Sequence, residues 1–177
     1  MRRIALALML CCALLAGGTA CSNSPDREAG AGSANSTSKP EREKYNRAKF
    51  VANAGLAAGA AYQWLIKPYR ADKFQKGAKG RTFTLIKAGV AGAFAYNRLK
   101  AAQKNAKGDP VLTKALAPVT GSIESLKGMT SKFRKGNATE ADVKQYEDVL
   151  NNIKGAGKDA GLNVVNRVPT TSQLNGG

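Results

Sequence analysis

Histidine is absent from this chain of 177 residues, and its three cysteines, Cys11, Cys12 and Cys21, all fall at its beginning. The first absence removes the commonest general base and imidazole metal ligation. The second leaves everything after Cys21 without a thiol or a disulfide framework. Acidic side chains are scarce, 12 against 28 Lys and Arg, giving a formal charge of +16, and there is a single tryptophan. A Gly-rich phosphate loop, a metal-ligand cluster and a nucleophile motif such as G-x-S-x-G are all missing. Glu140, Asp142, Glu147 and Asp148 cluster, but the first turn of a helix favours acids and the remainder read as solvent-facing. The expectation is a protein that is not an enzyme and uses neither cofactor nor metal.

What is present starts with an export segment. Residues 1–3 are a short positive stretch, residues 4–15 are apolar and residues 16–20 are small, the three parts of a secretory signal peptide over residues 1–20. The apolar part falls short of the roughly 20 residues that a spanning helix needs. Gly18-Thr19-Ala20-Cys21 then resembles the lipobox of bacterial lipoproteins, in which small residues precede a cysteine that is lipidated. Gly18 stands where that family prefers a branched apolar residue. The resemblance implies that Cys21 becomes the mature N-terminus, carries a diacylglyceryl group and anchors the chain in membrane lipid on the extracytoplasmic side. Ordinary cleavage after Ala20, with secretion, is the other reading.

Residues 21–40 contain no large apolar side chain and mix Ser, Gly, Ala and Asn, so they read as a tether that cannot order itself. Residues 41–160 read as an all-α, compact bundle of about four helices, and residues 161–177 as a flexible tail or a short strap. The bundle is organised around an internal repeat. Residues 54–65 and 88–99 align at an offset of 34, with six of twelve positions identical: the alanine pairs 54/88, 57/91 and 61/95, Gly55/Gly89, Tyr62/Tyr96 and Leu65/Leu99. Small residues three and four apart make a flat stripe on which another backbone can lie, so Gly55, Gly59, Gly89 and Ala93 are the expected packing positions between two Ala/Gly-rich helices. The 34-residue period also resembles that of tetratricopeptide arrays, but those need two helices per repeat and at least three repeats, whereas here one helix recurs once.

Several punctuation marks set the helix limits. Pro68 should end or kink the first helix near Ile66, with room for a short helical turn to restart with Pro68 in its first position, and Gly77 and Gly80 mark a connector. Asp109-Pro110 caps a third helix that should bend at Pro118, and Thr139-Glu140-Ala141-Asp142 approximates a capping box for a fourth, expected to stop at Gly155 and Gly157. Tyr62 and Tyr96 lie on the small-residue stripe and are expected in the core.

Charge is shared unevenly. Residues 41–107 hold 15 basic and 3 acidic side chains, whereas residues 108–177 hold 9 and 7. Lys67, Arg70, Lys73, Lys76, Lys79 and Arg81 form the densest run, expected as a flexible cationic loop. It fits an anionic partner, either anionic lipid or an acidic envelope polymer. Nucleic acid sits badly with export, and no protein partner can be named. The expected role is a non-catalytic interaction or structural module at the cell envelope. The alternative is that the two Ala/Gly helices enter a bilayer as a hairpin.

Overall fold

The first helix, α1 (Lys39–Ala61), begins where the Glu41 carboxylate accepts hydrogen bonds from the backbone N–H and the hydroxyl of Ser38, at 3.1 and 3.0 Å. Pro40 falls in its first turn, where a missing N–H removes no helical bond, so helix starts two residues before the expected start of the bundle at residue 41. The computed structural model describes Ser38 to Asn175; the signal peptide, Cys21 and most of the tether lie outside the described residues.

Helical backbone passes Pro68 instead of stopping before it. α1 runs into a wide π-helical turn (Tyr62–Ile66), in which the Lys67 N–H donates to the Tyr62 carbonyl, and on into α2 (Lys67–Arg70). A proline interrupts the helical ladder, and the wide turn just ahead of it is where the ladder changes register. The connector 71–80 is a run of hydrogen-bonded turns rather than a flexible loop. The Lys73 N–H donates to Pro68, Gln75 to Asp72 and Ala78 to Gln75, all at 3.0–3.2 Å. Phe74 pins the connector from within: it is buried, edge-on to Tyr69 and to Phe133, which is itself edge-on to Tyr146. Such pairs add about 0.5–1.5 kcal/mol each beyond burial.

α3 (Arg81–Ala106) returns along α1, and the two share the most extensive helix contact of the fold. Asn46 lies against Gly108, Arg98 donates to Asn53 Oδ1 at 3.4 Å, and Trp64 shares a groove with Thr84, so the helices run antiparallel. That register sets Ala54, Ala57 and Ala61 level with Ala95, Ala91 and Ala88. All six are buried.

Beyond α3, the Asp109 carboxylate caps α4 (Pro110–Leu116), which bends at Pro118 through a 3-10 turn (Ala117–Val119) into α5 (Thr120–Lys135). The Thr139–Asp142 capping box opens α6 (Glu140–Asp159). Ile123, Leu126, Met129 and Phe133 of α5 and Val143, Tyr146, Val149 and Ile153 of α6 are buried, so each turns one apolar side to the core. The Tyr146 hydroxyl donates to the Gly92 carbonyl at 3.1 Å, and burial pushes its phenol well above the ordinary value. The result is an all-α bundle of four long rods, and among the described residues there is no strand.

The expected helix stop at Gly155 and Gly157 and the expected packing of the small residues fail here, each for a packing reason. α6 runs through Gly155 and Gly157 and stops at Ala160, where Gly161 takes a positive φ and the Leu162 N–H returns to the Gly157 carbonyl. Gly157 is a close-approach site: a Cβ there would stand 2.8 Å from Val164 and 3.4 Å from the Phe50 ring. The tail is not loose. Its extended stretch lies against α1 as a strap, the Arg167 N–H donates to the Gly55 carbonyl at 2.8 Å, and Leu174 of the short α7 (Thr171–Asn175) is buried.

The packing assignments of the small residues change accordingly. Gly55 and Gly59 receive the strap rather than a helix, because a Cβ would fall 2.7 Å from the Val165 carbonyl oxygen and 2.1 Å from that of Arg167. Gly89 does meet a helix, but it is α5, through the Arg134 side chain. Ala93 is exposed and packs nothing closely. The seam between α1 and α3 is left to the alanines. Tyr62 is 46% exposed, and Tyr96 is half-buried with its hydroxyl donating to Glu124 at 2.9 Å, so neither belongs to the core.

Candidate basic interface

The six cations singled out in the sequence do not act together. Arg70 forms an ion pair with Glu147 of α6 at 2.5 Å. Arg81 is structural, its Nε donating to the Phe74 carbonyl at 2.9 Å and so closing the connector onto the start of α3. Lys76 is exposed. Lys67, Lys73 and Lys79 do converge. They line an open groove of about 410 Å³ between the π-helical turn, α2, the connector and the first turns of α3.

A fourth lysine completes the groove. Lys87 lies one helical turn beyond Phe83, and its Nζ stands 4.5 Å from the centre of that ring. The spacing of four between Phe83 and Lys87 along one helix was the available signal. Trp64 forms the inner wall and is half-buried, while Phe83 at the rim is 62% exposed.

No carboxylate lines the groove, and none of its four lysines has an ion-pair partner among the described residues. The reason is visible in the chain order, since no acidic residue occurs between Asp72 and Asp109. Four of the seven acids of the other half are engaged elsewhere: Asp109 with Arg47, Glu124 with Lys100, Asp142 with Lys132 and Glu147 with Arg70. The Glu124 carboxyl is held below its ordinary value by hydrogen bonds from Lys100 and Tyr96. Asp142 is bound up in the cap of α6, accepting from the Thr139 N–H and hydroxyl, both at 2.8 Å. Of the acidic cluster seen in the sequence, Asp142 belongs to the helix cap and Glu147 to the ion pair with Arg70, while Glu140, Glu147 and Asp148 line a separate groove with Asp72.

Chemically, the groove offers four ammonium groups and two aromatic surfaces. Such an arrangement gives the groove a positive potential that attracts anions. No family model, no curated protein and no solved structure matches the chain. Its function is therefore argued from this geometry.

Proposed function

We propose that the chain is an exported, lipid-anchored, non-catalytic helical module that meets an anionic surface of the cell envelope through the groove around Trp64. The observation that carries this reading is the convergence of Lys67, Lys73, Lys79 and Lys87 with no carboxylate among them. The Gly18-Thr19-Ala20-Cys21 sequence supports the anchor. The inserted-hairpin alternative gains no support, because the small-residue faces of α1 and α3 are filled by the strap, by α5 and by each other. Among the described residues no helix is long and apolar enough to cross a membrane.

Each Lys or Arg close to an anionic membrane surface contributes about 1 kcal/mol. The variant in which Lys67, Lys73, Lys79 and Lys87 are all replaced by Gln should bind anionic vesicles at least about a hundredfold more weakly than the parent chain. Both should be expressed from residue 21 with Cys21→Ser, so that no acyl chain contributes. Co-sedimentation at low salt reads the difference. Raising salt toward 1 M, where screening acts over about 3 Å, should remove most of the charge-dependent attraction. Equal binding by parent and variant would reduce the groove to a solubility feature.

The anchor has its own test. Mass spectrometry of the N-terminal peptide from cell-envelope fractions should find Cys21 first in the chain and lipid-modified, and Cys21→Ala should release the protein from the membrane. An unmodified Cys21 on envelope-bound protein would overturn the lipoprotein assignment.

A further inference from the structure

The outward side of α3 beside the groove carries a feature that charge does not explain. Phe83, Ile86 and Val90 follow one another at spacings of three and four, so they form a single row on one side of the helix. Phe83 is 62% exposed, Ile86 53% and Val90 36%. Exposed apolar residues scattered singly are ordinary, but a contiguous row marks an interaction face. This row begins at the rim of the groove, with Lys87 lying over Phe83. α3 itself contains no acidic residue along its whole length.

We infer that the anionic surface met by the groove is a phospholipid bilayer, with Phe83, Ile86 and Val90 entering the interfacial region while the four lysines hold lipid phosphates. This rests on the reading of the groove as an anion-binding face, and it adds the identity of the partner. A row of apolar side chains bordered by lysines and aromatics matches the two layers of a bilayer surface, charged headgroups outside and hydrocarbon beneath. An acidic polymer in water would reward the lysines and leave the row exposed. Salt should therefore weaken binding without abolishing it, because the apolar share is not screened.

The single tryptophan lies in the groove and reports on the contact. The chain from residue 21 with Cys21→Ser is titrated with vesicles of phosphatidylglycerol and phosphatidylcholine, and in parallel with soluble polyglutamate. On vesicles, Trp64 emission should shift to the blue and be quenched by lipids brominated on their acyl chains. The triple variant Phe83→Ser, Ile86→Ser and Val90→Ser should partition into vesicles at least about tenfold more weakly while binding polyglutamate as the parent does. Its helical circular dichroism should match the parent, since all three side chains face outward. If the triple variant loses helicity, Phe83→Ser and Ile86→Ser alone carry the test, each expected to show part of the loss.

Vesicle binding unchanged in these variants, or no quenching of Trp64 in the bound state, overturns the inference and leaves the charge-based reading standing. Failure of the parent to bind either vesicles or polyglutamate overturns both. A parent that self-associates through the row, with the triple variant monomeric and unaltered toward vesicles, overturns the inference in favour of a second copy of this chain.

Discussion

Gly59→Ala should destabilise the fold by about 3 kcal/mol, although it adds a single methyl group to a helix. An added Cβ would stand 2.1 Å from the Arg167 carbonyl oxygen and 2.2 Å from its carbon, both backbone atoms that no rotamer change can move. Overpacking of this kind typically costs about 1–3 kcal/mol. Relief by lifting the strap would instead expose Val164 and Leu174, whose full burial is worth about 1.5–3 kcal/mol each. Urea denaturation measures the effect. Gly128→Ala on α5 is the control: nothing lies within 4 Å of its added Cβ, so the usual helix preference for alanine should stabilise the fold by about 0.8–1 kcal/mol. In a chain ending at Gly161, where no strap remains, Gly59→Ala should lose its penalty. A Gly59→Ala protein as stable as the parent would mean that the strap does not sit in the glycine stripe.

Asp109→Ala should cost about 2–4 kcal/mol. The carboxylate is 2% exposed, caps α4 through the Val111 and Leu112 N–H groups at 2.9 and 3.1 Å, and accepts from Arg47 Nε at 2.5 Å. Arg47 also donates to the Ala160 carbonyl at 3.3 Å, so one guanidinium ties α1 to the start of α4 and the end of α6. Loss of the cap alone costs about 1 kcal/mol, and an orphaned charge adds more. The Arg47 side chain is 37% exposed, so solvent screens part of the pair and the upper figure is a ceiling.

The same carboxylate predicts the response to acid. Burial alone would raise the Asp109 pKa, but the Leu112 N–H and the Arg47 guanidinium outweigh it and hold the group below its ordinary value of 3.8. Asp142 is likewise held below 3.8, with Lys132 and the Thr139 N–H overcoming its burial. A pKa lower in the folded than in the unfolded state contributes stability above the unfolded value, and that stability disappears as pH falls through the folded one. Thermal midpoints should therefore hold from pH 7 to about pH 5 and drop below about pH 4. Asp109→Asn keeps the shape of a cap without the titrating charge, and its acid-side drop should be shallower. An identical drop in the Asn variant would remove Asp109 from the explanation.

Much of the helical framework was legible because its signals are local. Asp109-Pro110 and Thr139-x-x-Asp142 each satisfy helix N–H groups within three residues, so the caps could be read without knowing the rest of the fold. Pro118 bends the chain for an equally local reason. Contacts between distant residues were not legible in this way. A glycine stripe presents the same flat surface to a helix and to an extended strap, and nothing around Gly55 or Gly59 tells which will arrive. Gly157 read as a helix stop because its reason for being glycine, the approach of Phe50 and Val164, comes from elsewhere in the chain. The basic run was visible as composition. Its division was not, since Arg70 is claimed by Glu147 some eighty positions later and Lys87 joins from another helix.

The antiparallel register of α1 and α3 has a consequence in symmetry. Two copies of one helix packed head to tail, with Ala57 level with Ala91 and Ala54 and Ala61 level with Ala95 and Ala88, are related by a local two-fold axis through the alanine seam. A pair that kept this symmetry outside the seam would present every surface feature twice and bind every partner twice. The copies have diverged where they face outward. Gly55 takes the backbone of the strap while its counterpart Gly89 takes Arg134, Gly59 is filled while Ala93 stands exposed, and Trp64 of the groove corresponds to Arg98. The alanines of the seam keep the duplication while the contacts around them differ, so a hairpin built from two similar halves has two unlike ends.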